Sequence, residues 1–465
     1  MESGKAPRVV EGSCWACRKR RVKCSLERPG CARCLASGIS CEYGTKLQWV
    51  GGPTVRGRRA SGPASLQGET TNQLPRSSSA LPPVPSTPEL DNGALVSYFC
   101  NVVVPRFQLS PRDSRLDEGS LVDEPALRSA VLAVSKAHFH LNSRSSLNAA
   151  GARDTGQYRQ LALADFRKRL ESGVSGVPSA QDLLQVVTLF CILDGVVFPE
   201  TESNASIAHL KGGCSLLDRW SSVTSSMVLK GGLQAHLASI FVTMDLIHAI
   251  LAGERPYFDP TAWLMFGEVD AWWGRLECGD RFLYVLKGFS ETALLGHLVK
   301  SHLPGDEGTH IAGKCLPSVE MMLNAASSLQ TSPSFASPRD WDAFCSTYEI
   351  AAAIYIQRAI CNRPVWDDAV QILARKGVSY LLVDSGLPGM LAHCVIFPLL
   401  IIGSHCIDAD DRKTALESLS QSTSYLSFGN LLVMRNLVKQ IWAQSELDCT
   451  WWEMFDPVSS KTFLF

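Results

Sequence analysis

Net charge is almost missing from this chain, where 44 Lys and Arg meet 45 Asp and Glu over 465 residues for a formal balance of -1. As an average, that argues against a polyanion partner. An apolar leader is also missing: MESGKAPRVVEG is short, polar and basic, which speaks against secretion and the oxidising route to disulfides. A membrane span is missing by the same reading, since the most apolar later stretch, Met390 to Cys406, has 17 residues broken by His393, Pro398 and His405. It reads as a buried helix, and no membrane partner is expected. HExxH, a phosphate-cradling Gly-Lys loop and a dinucleotide fingerprint are absent, so the chain does not read as an enzyme. Period-two alternation with hairpin turns is scarce, which leaves a mainly α fold class.

What is present is unevenly placed. With 46% hydrophobic and 19% charged residues the chain can bury a sizeable core, and its length has room for roughly two to four domains. Residues 1–60 hold thirteen Lys/Arg and four acids, or +9, while the other 405 hold 31 basic and 41 acidic groups, or -10. A basic head on an acidic body is the expected signature of a polyanion-binding head. Six of the sixteen cysteines fall between Cys14 and Cys41, and ten are scattered from Cys100 to Cys449. In a reduced, intracellular chain the dense set reads as metal-binding and the scattered ones as small core residues.

The dense set is an internal repeat. Cys14, Cys17 and Cys24 have the same spacing as Cys31, Cys34 and Cys41, two residues and then six. Each half supplies three thiolates, whereas a closed structural zinc site takes four ligands in a tetrahedron. Two zinc ions sharing two bridging sulfurs fill both tetrahedra with six cysteines. By symmetry the bridges are equivalent members of each half, and Cys14 and Cys31 are taken as that pair. Two Zn²⁺ and six thiolates sum to -2, which surrounding cations stabilise. Three disulfides, or one four-cysteine zinc site with two spare thiols, use the same residues; the first conflicts with the compartment and the second leaves the repeat unused. A head of about 30 residues is too small for a hydrophobic core, so metal binding is its folding energy.

Between Cys17 and Cys24 lies Arg18-Lys19-Arg20-Arg21-Val22-Lys23, whereas the equivalent Leu35 to Ser40 carries no charge. Both halves hold metal, but only the first faces a polyanion. As a short helix the segment fans cations over its exposed surface, with Arg18 and Arg21 three apart and Lys19 and Lys23 four apart. Such a helix enters a major groove, where one or two side chains reach base edges and the others neutralise phosphates. A nuclear-import signal or a solvated face explains a basic run alone, but zinc ligands on both sides favour groove contact.

Cys14 to Cys41, with its basic first segment and Pro29 in the central loop, resembles the fungal zinc binuclear cluster family of transcription regulators. The resemblance implies that Cys14 and Cys31 bridge the two metals. It implies that Arg21, four after the second cysteine, reads base edges where many members carry Lys, and that members read CGG-type triplets in double-stranded DNA. Arg offers a guanine O6/N7 pair a bidentate partner. Arg20 and Lys23 then hold phosphate or assist at bases.

The head is placed at 14–44, after a flexible 1–13. A Pro/Gly/Ser-rich linker follows at 45–90, in which 18 of the 38 residues from Gly51 to Pro88 are Pro, Gly or Ser. The dimerising coiled coil of many relatives has no counterpart, because Gly51, Gly52, Pro53, Gly57, Gly62 and Pro63 break any heptad. Arg56, Arg58 and Arg59 read as extra phosphate contacts or a solvated cluster. Residues 91–465 read as helices throughout, with 3.6-residue periodicity over Ala180–Leu193, Leu233–Leu251 and Leu431–Trp442 and caps at Asp408 and Gly429-Asn430.

This body resembles the regulatory domain that follows the cluster in one large branch of these fungal regulators. The resemblance rests on Ala130 to His140, His209 to Gly213 with Leu216-Leu217, Phe241 to Pro256, Phe397 to Arg412, Trp442 and Trp451. Within it, His138-x-His140 and Asp245-x-x-His248 lack a third ligand and read as core or capping residues rather than metal sites. Gly212-Gly213 and Gly231-Gly232 read as turns, and Trp272-Trp273 and Trp451-Trp452 as packing rather than an effector pocket. Ser445 to Phe465 mixes acids with aromatics, as an activation segment or a docked last helix does.

The expected whole is a nuclear regulator of RNA polymerase II transcription, partnered by double-stranded DNA, by the transcription machinery or coregulators, and by a second copy if the body dimerises. Fungal regulators of this build often control a metabolic or secondary-metabolite gene cluster. The competing classes are an enzyme with an accessory zinc head and a scaffold whose head binds protein or RNA.

Overall fold

Helical periodicity prevails through both parts of the chain. The structure, a computed structural model, describes residues 13–20, 22–28, 30–39, 41, 91–109, 124–143, 149–199, 204–301, 306–381, 387, 389–443, 449–459 and 461–463. Two units divide the chain, residues 1–50 and 51–465. The expected linker, and all but Ser13 of the expected N-terminal segment, lie outside the described residues.

In the first unit, α1 (Trp15–Arg20) and α2 (Ala32–Ala36) are the two short helices of the head. The second unit opens at Asp91, whose carboxylate accepts the Ala94 N–H at 2.7 Å and caps Asn92–Tyr98. Of the three segments read from periodicity, two lie inside helices Gly232–Ala252 and Asn430–Ala443, and Ala180–Leu193 runs from helix Val177–Ile192 one residue into the π-helical turn Leu193–Val197. Pro178 sits in the first turn of one, where its missing N–H costs nothing. Gly253, with φ +63, closes the next in the left-handed conformation. Asp408 caps Ala409–Leu426 through the N–H groups of Asp410 and Asp411.

Val177–Val197 and Gly232–Ala252 are long and apolar enough to cross a membrane, yet almost all of both is buried inside this unit. Apolar residues around the whole circumference serve a central helix equally well. Gly232–Ala252 packs against Val177–Ile192, Val223–Lys230 and Trp451–Ser459. The run from Met390 to Cys406 is buried, but it forms two helices, Gly389–His393 and Ile396–Ser404, rather than one. The single sheet among the described residues is a hairpin of Asp270–Ala271 and Gly274–Arg275.

The Gly212-Gly213 turn is not formed. Both glycines lie within helix Ala205–Arg219, and a Cβ on Gly213 would stand 2.5 Å from Phe241 Cζ and 3.2 Å from Val187 Cγ1. The residue is a close-packing point between helices, not a reversal. Gly231-Gly232 is a reversal, with φ of +72 and +55 between consecutive helices.

Of the suspected histidines, His138 and His248 are buried in the core and His140 is half-buried. His138 donates from Nε2 to Leu426 O and accepts the Tyr98 hydroxyl at Nδ1, both at 2.9 Å. His248 donates to Ser459 O at 2.9 Å, and Asp245 accepts the N–H groups of Tyr257 and Phe258. Trp272 and Trp273 pack edge-on to Phe282, and the Trp272 indole N–H bonds Thr243 Oγ1 at 2.9 Å.

The described part of the C-terminal tail is docked. Trp451 is buried and donates to Ile250 O, and Phe463 is buried against the π-helical turn Leu193–Val197. There Gly195 O accepts from both Thr462 Oγ1 and Phe463 N, and Asn430 donates to Phe463 O at 2.7 Å.

Two outcomes follow for this unit. Gly213→Ala forces Phe241 to move, so despite the better helix propensity it is expected to cost about 1–3 kcal/mol and lower Tm in a thermal melt. Burial holds the imidazoles of His138 and His236 down at about 4, and burial with the nearby Arg358 holds His405 at about 3, against an ordinary 6.5. Between these values the unfolded chain binds up to three more protons than the folded one. Their contribution to stability is therefore full above pH 6.5 and is lost as pH falls towards 4. Burial raises Asp245 to about 6 against the Phe258 and Tyr257 N–H groups, which adds stability in the opposite direction as pH falls through 6, but by one proton only. The urea midpoint read by tryptophan fluorescence is expected to be lower at pH 5 than at pH 7.

Candidate metal centre and nucleic-acid interface

The described residues of the head that are buried are Ser13, Cys14, Cys17, Cys24, Cys31 and Cys34, with Ala16, Val22 and Cys41 packed around them. Sulfur occupies the place of a hydrophobic core. Cys14 Sγ stands 3.7 Å from Cys31 Sγ and 3.6 Å from Cys34 Sγ, and Cys17 Sγ stands 3.7 Å from Cys31 Sγ. Four sulfurs bound at about 2.3 Å to one tetrahedral zinc stand about 3.8 Å apart, and these three edges match that spacing, while Cys17 Sγ and Cys34 Sγ stand 4.0 Å apart. They are far longer than a disulfide bond.

Two sets of four sulfurs lie within 4.8 Å of one another: Cys14, Cys17, Cys24 and Cys31, and Cys14, Cys31, Cys34 and Cys41. Cys14 and Cys31 belong to both. The backbone repeats the symmetry of the sequence. Cys14 N–H points to Cys24 Sγ at 3.5 Å, and its equivalent seventeen residues on, Cys31 N–H, points to Cys41 Sγ at 3.2 Å. Cys34 N–H adds a bond to Cys31 Sγ at 3.3 Å. Burial raises the Cys31 thiol, but that N–H and the thiols of Cys34, Cys17 and Cys14 outweigh it and bring the group down to about 6, whereas burial pushes the thiols of Cys14, Cys17 and Cys34 up.

The loop between the halves is built for the same purpose. Leu26 adopts φ +64 and directs its N–H at Cys24 Sγ, 3.5 Å away. The N–H of Ala32, at the start of α2, is held by Ser25 Oγ at 2.9 Å and Glu27 Oε2 at 3.1 Å. Cys31 caps α2 with its own sulfur.

Of the five cations read from the sequence, Arg18 and Lys19 lie on α1, Arg20 ends it, and Lys23 is exposed just beyond. Arg21 lies outside the described residues. α1 stops at Arg20 rather than running on to Lys23. Arg20 is turned back: Nε donates to Ala16 O at 3.2 Å, Nη1 to Ser37 Oγ at 3.2 Å and Nη2 to Cys34 Sγ at 3.5 Å. Composition hides this contact. The available signal is the repeat itself, since residue 37 is the equivalent of residue 20.

Comparison with known proteins places both units. The fungal specific transcription factor domain matches residues 77–465. The chain belongs to that family. Its N-terminal part, residues 12–50, matches the fungal Zn(2)-Cys(6) binuclear cluster domain. This member of the fungal specific transcription factor family thus carries a head that holds two zinc ions on cysteines.

The family member is 26% identical over 229 residues to the aspercryptin biosynthesis cluster-specific transcription regulator of Emericella nidulans, covering 46% of this chain and 36% of that one. It is 34% identical over 77 residues to the aflatoxin biosynthesis regulatory protein of Aspergillus flavus, covering 16% of each. It is 51% identical over 37 residues to the arginine metabolism regulation protein II of Saccharomyces cerevisiae, covering 8% of this chain and 4% of that one. The chain thus spans about a third or less of these relatives. No solved structure matches it significantly.

Proposed function

We propose that the protein is a sequence-specific DNA-binding regulator of RNA polymerase II transcription that acts in the nucleus. Cys14, Cys17, Cys24, Cys31, Cys34 and Cys41 hold the two zinc ions, with Cys14 and Cys31 as bridges. The observation that carries this reading is the pair of sulfur quartets sharing those two residues, set beside a run of five cations. Bound zinc supplies the folding energy that so small a unit cannot draw from apolar burial.

Arg18, Lys19 and Lys23 supply phosphate contacts, and Arg21 reads guanine O6 and N7 in CGG-like triplets. The second unit serves regulation, dimerisation or coregulator recruitment. The names of the aspercryptin and aflatoxin regulators favour a biosynthetic gene cluster as the target. With Trp451, Phe455 and Phe463 buried, recruitment falls to surfaces other than these three side chains.

Zinc-loaded full-length protein is expected to bind duplexes carrying CGG triplets at least ten-fold more tightly than shuffled duplexes of equal length, and to lose that preference on chelation. In the same assay Arg21→Ala should cost about 1–3 kcal/mol on the specific duplex and much less on the shuffled one. Equal losses on both would remove Arg21 from base readout. Cys24→Ser is expected to lower the zinc content, measured by mass spectrometry of the metal, from two per chain to one or fewer. Retention of two would overturn the ligand assignment.

A further inference from the structure

We propose that Arg20 belongs to the metal centre and not to the DNA-contacting surface: its guanidinium orients the Cys34 thiolate and ties α1 to α2. The proposal rests on the two-zinc reading above. A basic run between zinc ligands assigns every cation to phosphate or bases by composition, and the geometry of Arg20 departs from that. Its Nε bond to Ala16 O, four residues back, folds the side chain along α1 towards the cluster. That leaves the two terminal nitrogens facing Ser37 Oγ and Cys34 Sγ.

Each acceptor is itself fixed. Ser37 is the C-cap of α2 and donates its hydroxyl to Arg33 O at 2.9 Å, so its lone pairs are presented to Arg20. Cys34 lies within α2 and belongs to only one of the two sulfur quartets. Arg20 and Ser37 occupy equivalent positions in the seventeen-residue repeat, so their bond spans the two halves at like points. Ser is too short to return the favour to Cys17, which makes the two metal positions unequal in their surroundings.

The chemistry suits a guanidinium. A cluster of two Zn²⁺ and six thiolates carries -2, and a zinc-bound thiolate still accepts hydrogen bonds from a cation. Three of the five guanidinium donors are committed in a fixed fork. A lysine ammonium offers one flexible point charge and cannot meet three acceptors in that arrangement. Partners of this kind orient metal ligands, and their loss typically costs 10–100-fold in metal affinity.

The test uses the zinc-loaded full-length chain with Arg20→Ala, Arg20→Lys, Lys23→Ala and Ser37→Ala. In competition with a chromophoric chelator, Arg20→Ala is expected to release one of its two zincs about 10–100-fold more readily, Arg20→Lys and Ser37→Ala less so in the same direction, and Lys23→Ala not at all. In the cobalt-substituted chain, loss of the hydrogen bond should move the thiolate-to-metal absorption to lower energy, which a change in folding alone would not do. On shuffled duplex at saturating zinc, Lys23→Ala should reduce the slope of log affinity against log salt by about one, and Arg20→Ala should leave it unchanged.

A slope reduced by one in Arg20→Ala, or zinc held as tightly as in the parent, overturns the proposal. If Arg20→Ala does not fold, Ser37→Ala decides: zinc retention and absorption equal to the parent's overturn it. A parent chain that does not hold two zincs would instead overturn the metal reading on which this one stands.

Discussion

Sulfur atoms 3.6–3.7 Å apart are the constraint on which the head depends. Two thiolates at that distance repel by about 4 kcal/mol at an effective dielectric constant of 20, and six gathered together are untenable without compensation. Divalent metal reverses the sign of the sum, because each sulfur then lies closer to a cation than to its neighbours. Everything else in the head serves to deliver the sulfurs. α1 and α2 each begin beside a pair of cysteines three residues apart, Cys14 and Cys31 just before the helix and Cys17 and Cys34 within it, the loop at Leu26 spends backbone strain to aim an N–H at a third, and the hydrogen bonds of Cys14 and Cys31 steady the last ligand of each half. Because sulfur fills the interior, only Val22 of the described residues between Cys17 and Cys24 packs against it, and Lys23 is left exposed.

The second unit solves the opposite problem. Its interior is apolar and large, and its polar groups are the exceptions that need partners. His138, His248 and Asp245 are buried and each bonds a backbone group, which is why they resemble ligands in sequence and act as struts in space. The C-terminal tail is bound in the same way. Gly195 O, freed by a π-helical turn, accepts two bonds from residues at the far end of the chain, and Asn430 closes the contact from a third helix. An amphipathic end that could have reached out to a partner is instead part of the core.

What was legible in the sequence was what short-range physics dictates. The cysteine spacing is legible because a tetrahedron must be filled from residues a few positions apart. Ala180–Leu193, Leu233–Leu251 and Leu431–Trp442 are legible because a helix repeats its environment every 3.6 residues. Gly213 was misread as a turn because the reason for the glycine is Phe241, on another helix, and nothing local separates a glycine that reverses the chain from one that lets two helices approach. The tail was readable in two ways for a related reason. Its aromatics and acids are compatible with solvent or with a groove, and the groove is assembled from residues some 200 to 270 positions earlier.

Arg20 marks the same boundary inside the head. Charge counting places five cations between Cys17 and Cys24 and gives them one task. Geometry sets Arg20 apart, because a two-zinc centre carrying -2 needs positive charge of its own and the nearest source is the segment proposed to meet DNA. One guanidinium bound to Cys34 and Ser37 while its side chain stays exposed weakens the external field by at most a single charge, yet ties down the helix on which Arg18 and Lys19 ride. Orientation outweighs that loss: phosphate contacts are roughly additive in charge, whereas base readout fails when a donor is misplaced by an ångström. A basic segment that reserves one cation for its own scaffold therefore gains selectivity at a small cost in affinity.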